Sequence, residues 1–292
     1  MSKPYASIII TTYNRSKILE ERSLRSALNQ SFKDYEIIVV DDCGSDDTGK
    51  IVLKHKNIRY FKLPVNQGLS AARNFGISKA KGKYVVCLDD DNELMPDFLK
   101  ETILNIGTWA AIKVGRIIQY KDFADYAHPT FGKISSFDWG ILFDKRVFDK
   151  IQYDEKMRAN EDTDFGIQFY KVIGNKVGLI NKPLTLAYDI DDPKLSLSYP
   201  NERELKGMAY FFEKNFKEYD EPKELWCLYR LMGRKFYRGG YRFKGINYFW
   251  QGFKSYKTFR AFLHFFFILL GWFVYDQFMT LEEKVAAKLR KK

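Results

Sequence analysis

Three short apolar runs near the N-terminus, Ala6-Ser7-Ile8-Ile9-Ile10, Glu36-Ile37-Ile38-Val39-Val40 and Tyr84-Val85-Val86-Cys87-Leu88, each stop at a cluster of polar side chains. The first gives way to Thr11-Thr12-Tyr13-Asn14, the second to Asp41-Asp42-Cys43-Gly44-Ser45-Asp46-Asp47-Thr48, and the third to Asp89-Asp90-Asp91. Apolar runs of this length bounded by turn-forming residues read as buried strands. Between the first two, Ile18 to Gln30 reads as a helix, with Ile18, Leu19, Leu24 and Leu28 at broadly helical spacing. Ser45 to Thr48 supplies capping residues for a helix ending near Lys54, Arg59 to Leu63 is a third short strand, and Leu69 to Ala80 is a further helix. Lys83 to Leu88 is then the strand that carries the acids. This β-α-β-α-β-α-β order predicts an α/β fold with a parallel sheet covered on both faces, which binds ligands at the carboxyl ends of its strands. All three polar clusters lie at such ends, so they should converge on one crevice.

Adjacent carboxylates at the end of a buried strand repel one another unless a cation or strong donors compensate. A hard divalent cation, Mg²⁺ or Mn²⁺, takes oxygen ligands and reaches phosphates through one or two protein carboxylates, so the Asp-x-Asp spacing of Asp89 and Asp91 suits a metal-diphosphate complex. A solvated acidic turn is the other reading of the same residues.

Taken together, Ser7-Ile8-Ile9-Ile10-Thr11-Thr12-Tyr13-Asn14, the Val39-to-Thr48 segment, Asn66-Gln67-Gly68-Leu69-Ser70-Ala71-Ala72-Arg73-Asn74, Leu88-Asp89-Asp90-Asp91 and Asn160-Glu161-Asp162 resemble glycosyltransferase family 2 in order and spacing, over about the first two-thirds of the chain. The resemblance implies a GT-A fold, a nucleotide-diphosphate sugar donor, Mg²⁺ or Mn²⁺, and inversion at the anomeric carbon. Carried over by position, Thr11, Tyr13 and Asp42 hold the nucleobase end of the donor, Asp42 accepting from a ring N–H and Tyr13 packing on the base, with Asn14 beside them. Asp41 supports the loop. Arg73 approaches the diphosphate or the motif acids, Asp89 and Asp90 contact ribose and donor sugar, and Asp91, with Asp89, ligates the metal. Asp162 is the expected base, because a sugar hydroxyl attacking the anomeric carbon loses its proton as the bond forms. Glu161 and Asp164 compete for that role, and all three also suit a helix N-terminus. Trp139-Gly140-Ile141-Leu142-Phe143 reads as a strand on the acceptor side with a close-packed Gly140, and Trp139 either stacks on a sugar ring or belongs to the core. Many relatives carry Arg or His in a following loop that leads to Ser-x-Ser. Here Ser196 and Ser198 match, Asp189, Asp191 and Asp192 stand where a cation is expected, and Lys194 is the substitute.

At 292 residues the chain has room for a full α/β domain and an extension. The expected division is a catalytic domain over residues 1–200, with its donor half at about 1–107 and acceptor half at about 108–200, and a helical region over 201–292. Cys43, Cys87 and Cys227 lack disulfide or metal spacing, and no apolar leader precedes the first strand, so a reducing cytoplasmic setting is expected. From Leu225 to Lys292 there are 14 Lys and Arg against 3 Asp and Glu, a balance of +11 that equals the net charge of the whole chain, so everything before it is neutral overall. Bases interleaved with aromatics suit nucleic acid or an anionic bilayer. The apolar stretch Ala261 to Tyr275 decides for the bilayer, since nucleic-acid binding has no use for it. It is shorter than the roughly 20 apolar residues of a spanning helix, so an in-plane or re-entrant anchor at the cytoplasmic membrane face is expected, the other reading being a helix pair that packs on the catalytic domain. The sequence therefore predicts transfer of a hexose or N-acetylhexosamine from a UDP-linked donor to a lipid-linked oligosaccharide or glycolipid, with no nucleic-acid partner. A nucleotidyltransferase would call for a Gly-rich basic phosphate loop after the first strand, and Thr11-Thr12-Tyr13-Asn14 is not one. A nucleic-acid-binding protein with an inactive core would bind oligonucleotides but no sugar nucleotide.

Overall fold

The computed structural model describes residues 3–120, 124–130, 132, 134–188, 202–271 and 273–279. The chain forms two compact units, Met1–Leu197 and Ser198–Lys292. In the first, β1 (Ala6–Thr12), β2 (Tyr35–Asp41), β3 (Ile58–Lys62) and β4 (Tyr84–Asp89) pair in parallel, in the order β3-β2-β1-β4. The sheet continues antiparallel to β8 (Leu142–Asp144) and then to β6 (Ala111–Gln119), which pairs in parallel with β9 (Val177–Tyr188). β5 (Glu93–Leu94) closes the far edge and β7 (Ala124–Ala127) pairs with β6.

The apolar strands have two buried faces because side chains alternate across a sheet. Ile8, Ile10, Ile37, Val39, Val86 and Leu88 enter one core, covered by α1 (Ser16–Leu19), α2 (Arg25–Leu28), α3 (Thr48–Val52) and α5 (Phe98–Asn105). Ile9, Ile38, Val40, Val85 and Cys87 enter the other, covered by α4 (Leu69–Lys79) and α6 (Glu161–Ile173). Gly76 lets α4 lie flat on the sheet, since a Cβ there would come within 2.4 Å of the Ile9 Cγ2.

The helix expected from Ile18 to Gln30 is instead α1 and α2 joined by a π turn, Glu20–Leu24. The extra residue of that turn brings Leu19 and Leu24, five apart, onto the same core, whereas Leu28 lies 38 % exposed and Ala27 is buried in its place. The strand expected over Trp139 to Phe143 is confined to Leu142–Asp144, because Gly140 adopts a left-handed conformation (φ 71°) and takes the chain out of the sheet against Thr185.

The second unit holds α7 (Glu202–Asn215), α8 (Pro222–Arg238), α9 (Arg242–Ser255) and α10 (Phe259–Leu269). Gly233 and Gly245 let α8 and α9 meet closely, each leaving no room for a Cβ against the opposing helix. Phe236 and Phe249, among the aromatics interleaved with bases, are core residues of this unit, while Phe243 and Trp250 are exposed. No described helix is long and apolar enough to cross a membrane.

Candidate active site

Strand register gathers the motifs. Thr11 pairs with Asp89 across β1 and β4, and Thr12 pairs with Asp41 across β1 and β2, so the three polar clusters share one end of the sheet. The loops there are braced against one another. Asn14 accepts at 2.6 Å from the Ser45 N–H, and Asp41 accepts from the Gly44 N–H at 2.6 Å and the Tyr60 hydroxyl at 2.7 Å. Tyr13 is exposed, with its ring free of the core. The Thr11 hydroxyl is buried without a hydrogen-bond partner among the described residues.

Asp42 is engaged within the chain. Its two oxygens accept from the Gln67 and Gly68 N–H groups, both at 2.7 Å, and the residue is buried. It fastens the turn that starts α4.

Each motif acid has a partner. Thr12 donates to Asp90 at 2.7 Å, and Arg15 donates to Asp90 and Asp91, at 2.8 Å each. Burial pushes the Asp90 carboxyl up to about 7, against the pull of Arg15 and Thr12. Burial also raises Asp89, opposed by Arg73 and reinforced by Asp91 and Asp138. Arg73 is 1 % exposed, which turns it away from solvent toward the acids. It donates to Asp89 at 2.7 Å and to Glu161 at 3.5 Å while its guanidinium sits 5.3 Å from the Tyr153 ring centroid. One buried cation thus ties the end of β4 to the start of α6.

At that start the three acids separate. Asp164 is 0 % exposed, and Glu161 is engaged with Arg73 and raised by burial. Asp162 is partly exposed. It accepts from the Ser136 hydroxyl and, at 2.8 Å, from the Thr163 N–H, and the Phe137 N–H donates to its carbonyl at 2.9 Å. Asn160 just before them has φ 56°, and the other described non-glycine residues at positive φ, Asn14 and Cys43, also adjoin motif residues. Such backbone cost collects at functional sites.

Arg116 on β6 binds Asp138 through two hydrogen bonds, 2.6 and 3.0 Å, within the electrostatic reach of Asp89 and Asp162. Its guanidinium lies 4.1 Å from the Trp139 ring centroid. Trp139 is 5 % exposed and packs in the core. Lys113, lowered by burial, donates to the Ser136 carbonyl at 2.9 Å. Lys194 and Ser196 lie outside the described residues.

A sequence profile described as Glycosyl transferase family 2 matches residues 7–171, more than half of the chain. The chain belongs to glycosyltransferase family 2. An uncharacterized glycosyltransferase of Haemophilus influenzae is 38 % identical over 107 residues, covering 35 % of this chain and 42 % of its own length. The GalNAc(5)-diNAcBac-PP-undecaprenol beta-1,3-glucosyltransferase of Campylobacter jejuni is 30 % identical over 188 residues, 58 % of this chain and 60 % of that one. The match thus spans less than two-thirds of either relative. Among solved structures, S. aureus TarS 1–349 in complex with UDP superposes with a TM-score of 0.57 at 18 % identity, covering 86 % of this chain and 91 % of that one. The same fragment in complex with UDP-GlcNAc gives 0.56 at 18 % identity, covering 87 % of this chain and 73 % of that one. The fold is GT-A, as the resemblance implied.

Within this family 2 glycosyltransferase, Arg15, Lys113, Arg116, Ser136 and Asp138 join the site without having been singled out in the sequence. Arg15 directly follows Asn14, and its place beside a strand-end motif was a usable signal. The other four gave none, since they lie in segments without a motif.

Proposed function

We propose that this glycosyltransferase moves a hexose or N-acetylhexosamine from a UDP-linked donor to a hydroxyl of a lipid-linked oligosaccharide or glycolipid, inverting the anomeric carbon in one displacement. The observation that carries the reading is Arg73, whose guanidinium joins Asp89 of the donor motif to Glu161 beside Asp162 and so brings the metal-type acids and the candidate base to one crevice. The UDP and UDP-GlcNAc complexes of TarS support the donor class, and the name of the Campylobacter relative supports a polyprenol-linked acceptor.

The acids fit Mg²⁺ or Mn²⁺. Asp89 and Asp91 offer hard oxygens at alternate positions, and both side chains are partly exposed. No group of three metal-type side chains occurs among the described residues, so donor phosphates would have to complete the coordination. When bound, such a cation offsets the charge of the departing diphosphate. Asp162, oriented by Ser136 and Thr163, takes the acceptor's proton, and the Arg116–Asp138 pair meets sugar hydroxyls. Tyr13 stacks on the base. The exposed apolar residues of α10, with the nearby bases, hold the chain at the cytoplasmic membrane face.

A panel of sugar nucleotides screened for thermal stabilisation in Mn²⁺ tests the donor, since a ligand that prefers the folded state raises the melting temperature. A UDP-sugar is expected to shift it most, and no shift from any member removes the donor reading. Asp91→Asn should abolish transfer and weaken donor binding much more in Mn²⁺ than in EDTA. Equal donor affinity of the native protein in both would remove the metal.

A further inference from the structure

Arg15 stands outside any helix, in the loop between β1 and α1, and bridges two acids of the motif. One Nη donates to Asp90 Oδ1 and the other to Asp91 Oδ2, both at 2.8 Å. Asp91 Oδ1 accepts from Asn92 at 2.8 Å and the Asp91 carbonyl from Arg22 at 3.1 Å, so the chain's own donors already serve the whole residue. Asp90 is the deeper of the two and has a second partner in Thr12, while the Arg15 and Asp91 side chains are each nearly one-fifth exposed. Arg15 can therefore let go of Asp91 at the solvent side and leave Asp90 with donors. A guanidinium and a divalent cation on one carboxylate oxygen repel, and they do so strongly where burial lowers the local dielectric.

We propose that Arg15 is the internal counter-cation of Asp90 and Asp91, occupying Asp91 until a divalent cation comes with the donor diphosphate, so that the free cation alone binds poorly and cation and nucleotide bind as a coupled pair. The inference rests on the reading of Asp91 as a metal ligand. Three carboxylates, Asp89 to Asp91, face two guanidiniums, Arg15 and Arg73. Without Arg15 the Asp90 and Asp91 carboxylates lose the guanidinium that bridges them, and a cation no longer needs phosphates to compete for Asp91. Arg15 is thus a positioning residue that sets the coupling of the two ligands.

The test measures Mn²⁺ binding to the metal-free full chain by electron paramagnetic resonance or calorimetry, with Mn²⁺ alone and with UDP, for the native protein, Arg15→Gln and Arg15→Lys. The native chain should bind Mn²⁺ weakly alone and more tightly with UDP. Arg15→Gln should bind Mn²⁺ alone on the order of 10-fold more tightly and lose most of the UDP effect, because coupling free energies of this size are typical and reciprocal. Arg15→Lys, a point charge unable to span both carboxylates, should fall between them, and it keeps the test alive if the Gln variant fails to fold. Equal or weaker Mn²⁺ binding by the folded variants, with UDP coupling intact in the native chain, overturns the proposal. If Mn²⁺ and UDP are uncoupled in the native chain itself, the metal reading of Asp91 has failed first and takes the proposal with it.

Discussion

Asp162 differs from its acidic neighbours in what its carboxylate is doing. Asp164 is sealed in the core and Glu161 is engaged with Arg73, whereas Asp162 is partly exposed and oriented by Ser136 and Thr163. Asp162→Asn preserves shape but cannot take a proton, so turnover should fall by about 10²-fold or more with sugar-nucleotide binding retained. Glu161→Gln should instead disturb Arg73, and through it Asp89, so that donor binding weakens. Initial rates beside nucleotide titrations separate the two; a nearly normal Asp162→Asn would move the base elsewhere. At this scale the sequence was informative about positions and poor about partners. Strand-end residues were legible because a strand's last residue faces the crevice whatever else happens. What each acid binds was not legible, since Arg15 meets Asp90 and Asp91 across 75 and 76 residues, and the lone pairs of Asp42 go to N–H groups 25 and 26 residues away.

Strands of the parallel half were readable to within a residue or two because burial on both faces leaves a strong apolar signal. The acceptor half was not, because its strands β6 and β9 mix charged with apolar residues and β8 is only three residues long. The contact that matters most there is between α6 and the segment before β8. A Cβ at Gly166 would lie 1.7 Å from the Ser135 carbonyl oxygen, so only a glycine lets that segment lie on the helix and bring Ser136 to Asp162. Gly166→Ala should therefore displace the segment and cost about 1–3 kcal/mol, the usual range for overpacking. Activity should fall further than stability alone explains, because Asp162, the proposed base, loses its orienting hydroxyl. A thermal melt and a rate measured well below the melting temperature check this; an unchanged rate would mean that the segment does not position Asp162.

Over the whole molecule, charge and apolar surface are unevenly distributed. The bases that carry the net charge follow Leu225, and α10 adds to them a row of exposed apolar residues. Phe259, Phe262, Phe266 and Leu269 recur at three- and four-residue steps along one side of α10, with Phe273 exposed beyond its end, while Ala261, His264 and Ile268 occupy the buried side. Such spacing defines a single helix face. At ~1.5 Å per residue the helix is too short to span a bilayer, but a face of this kind flanked by Lys257 and Arg260 suits lying in an anionic interface. Attachment should then have two components. Salt screens the attraction of the bases for anionic headgroups and leaves apolar insertion intact, so high salt alone should fail to strip the full-length protein from membranes, whereas detergent should release it. Phe266→Asp with Leu269→Asp puts two charges on the inserting face without touching the buried side. That variant should lose vesicle binding yet keep its sugar-nucleotide stabilisation. Flotation with vesicles of anionic and of neutral lipid reads out both components. Retention of the double variant on anionic vesicles, or recovery of the native chain in the soluble fraction without detergent, would remove the membrane from this account.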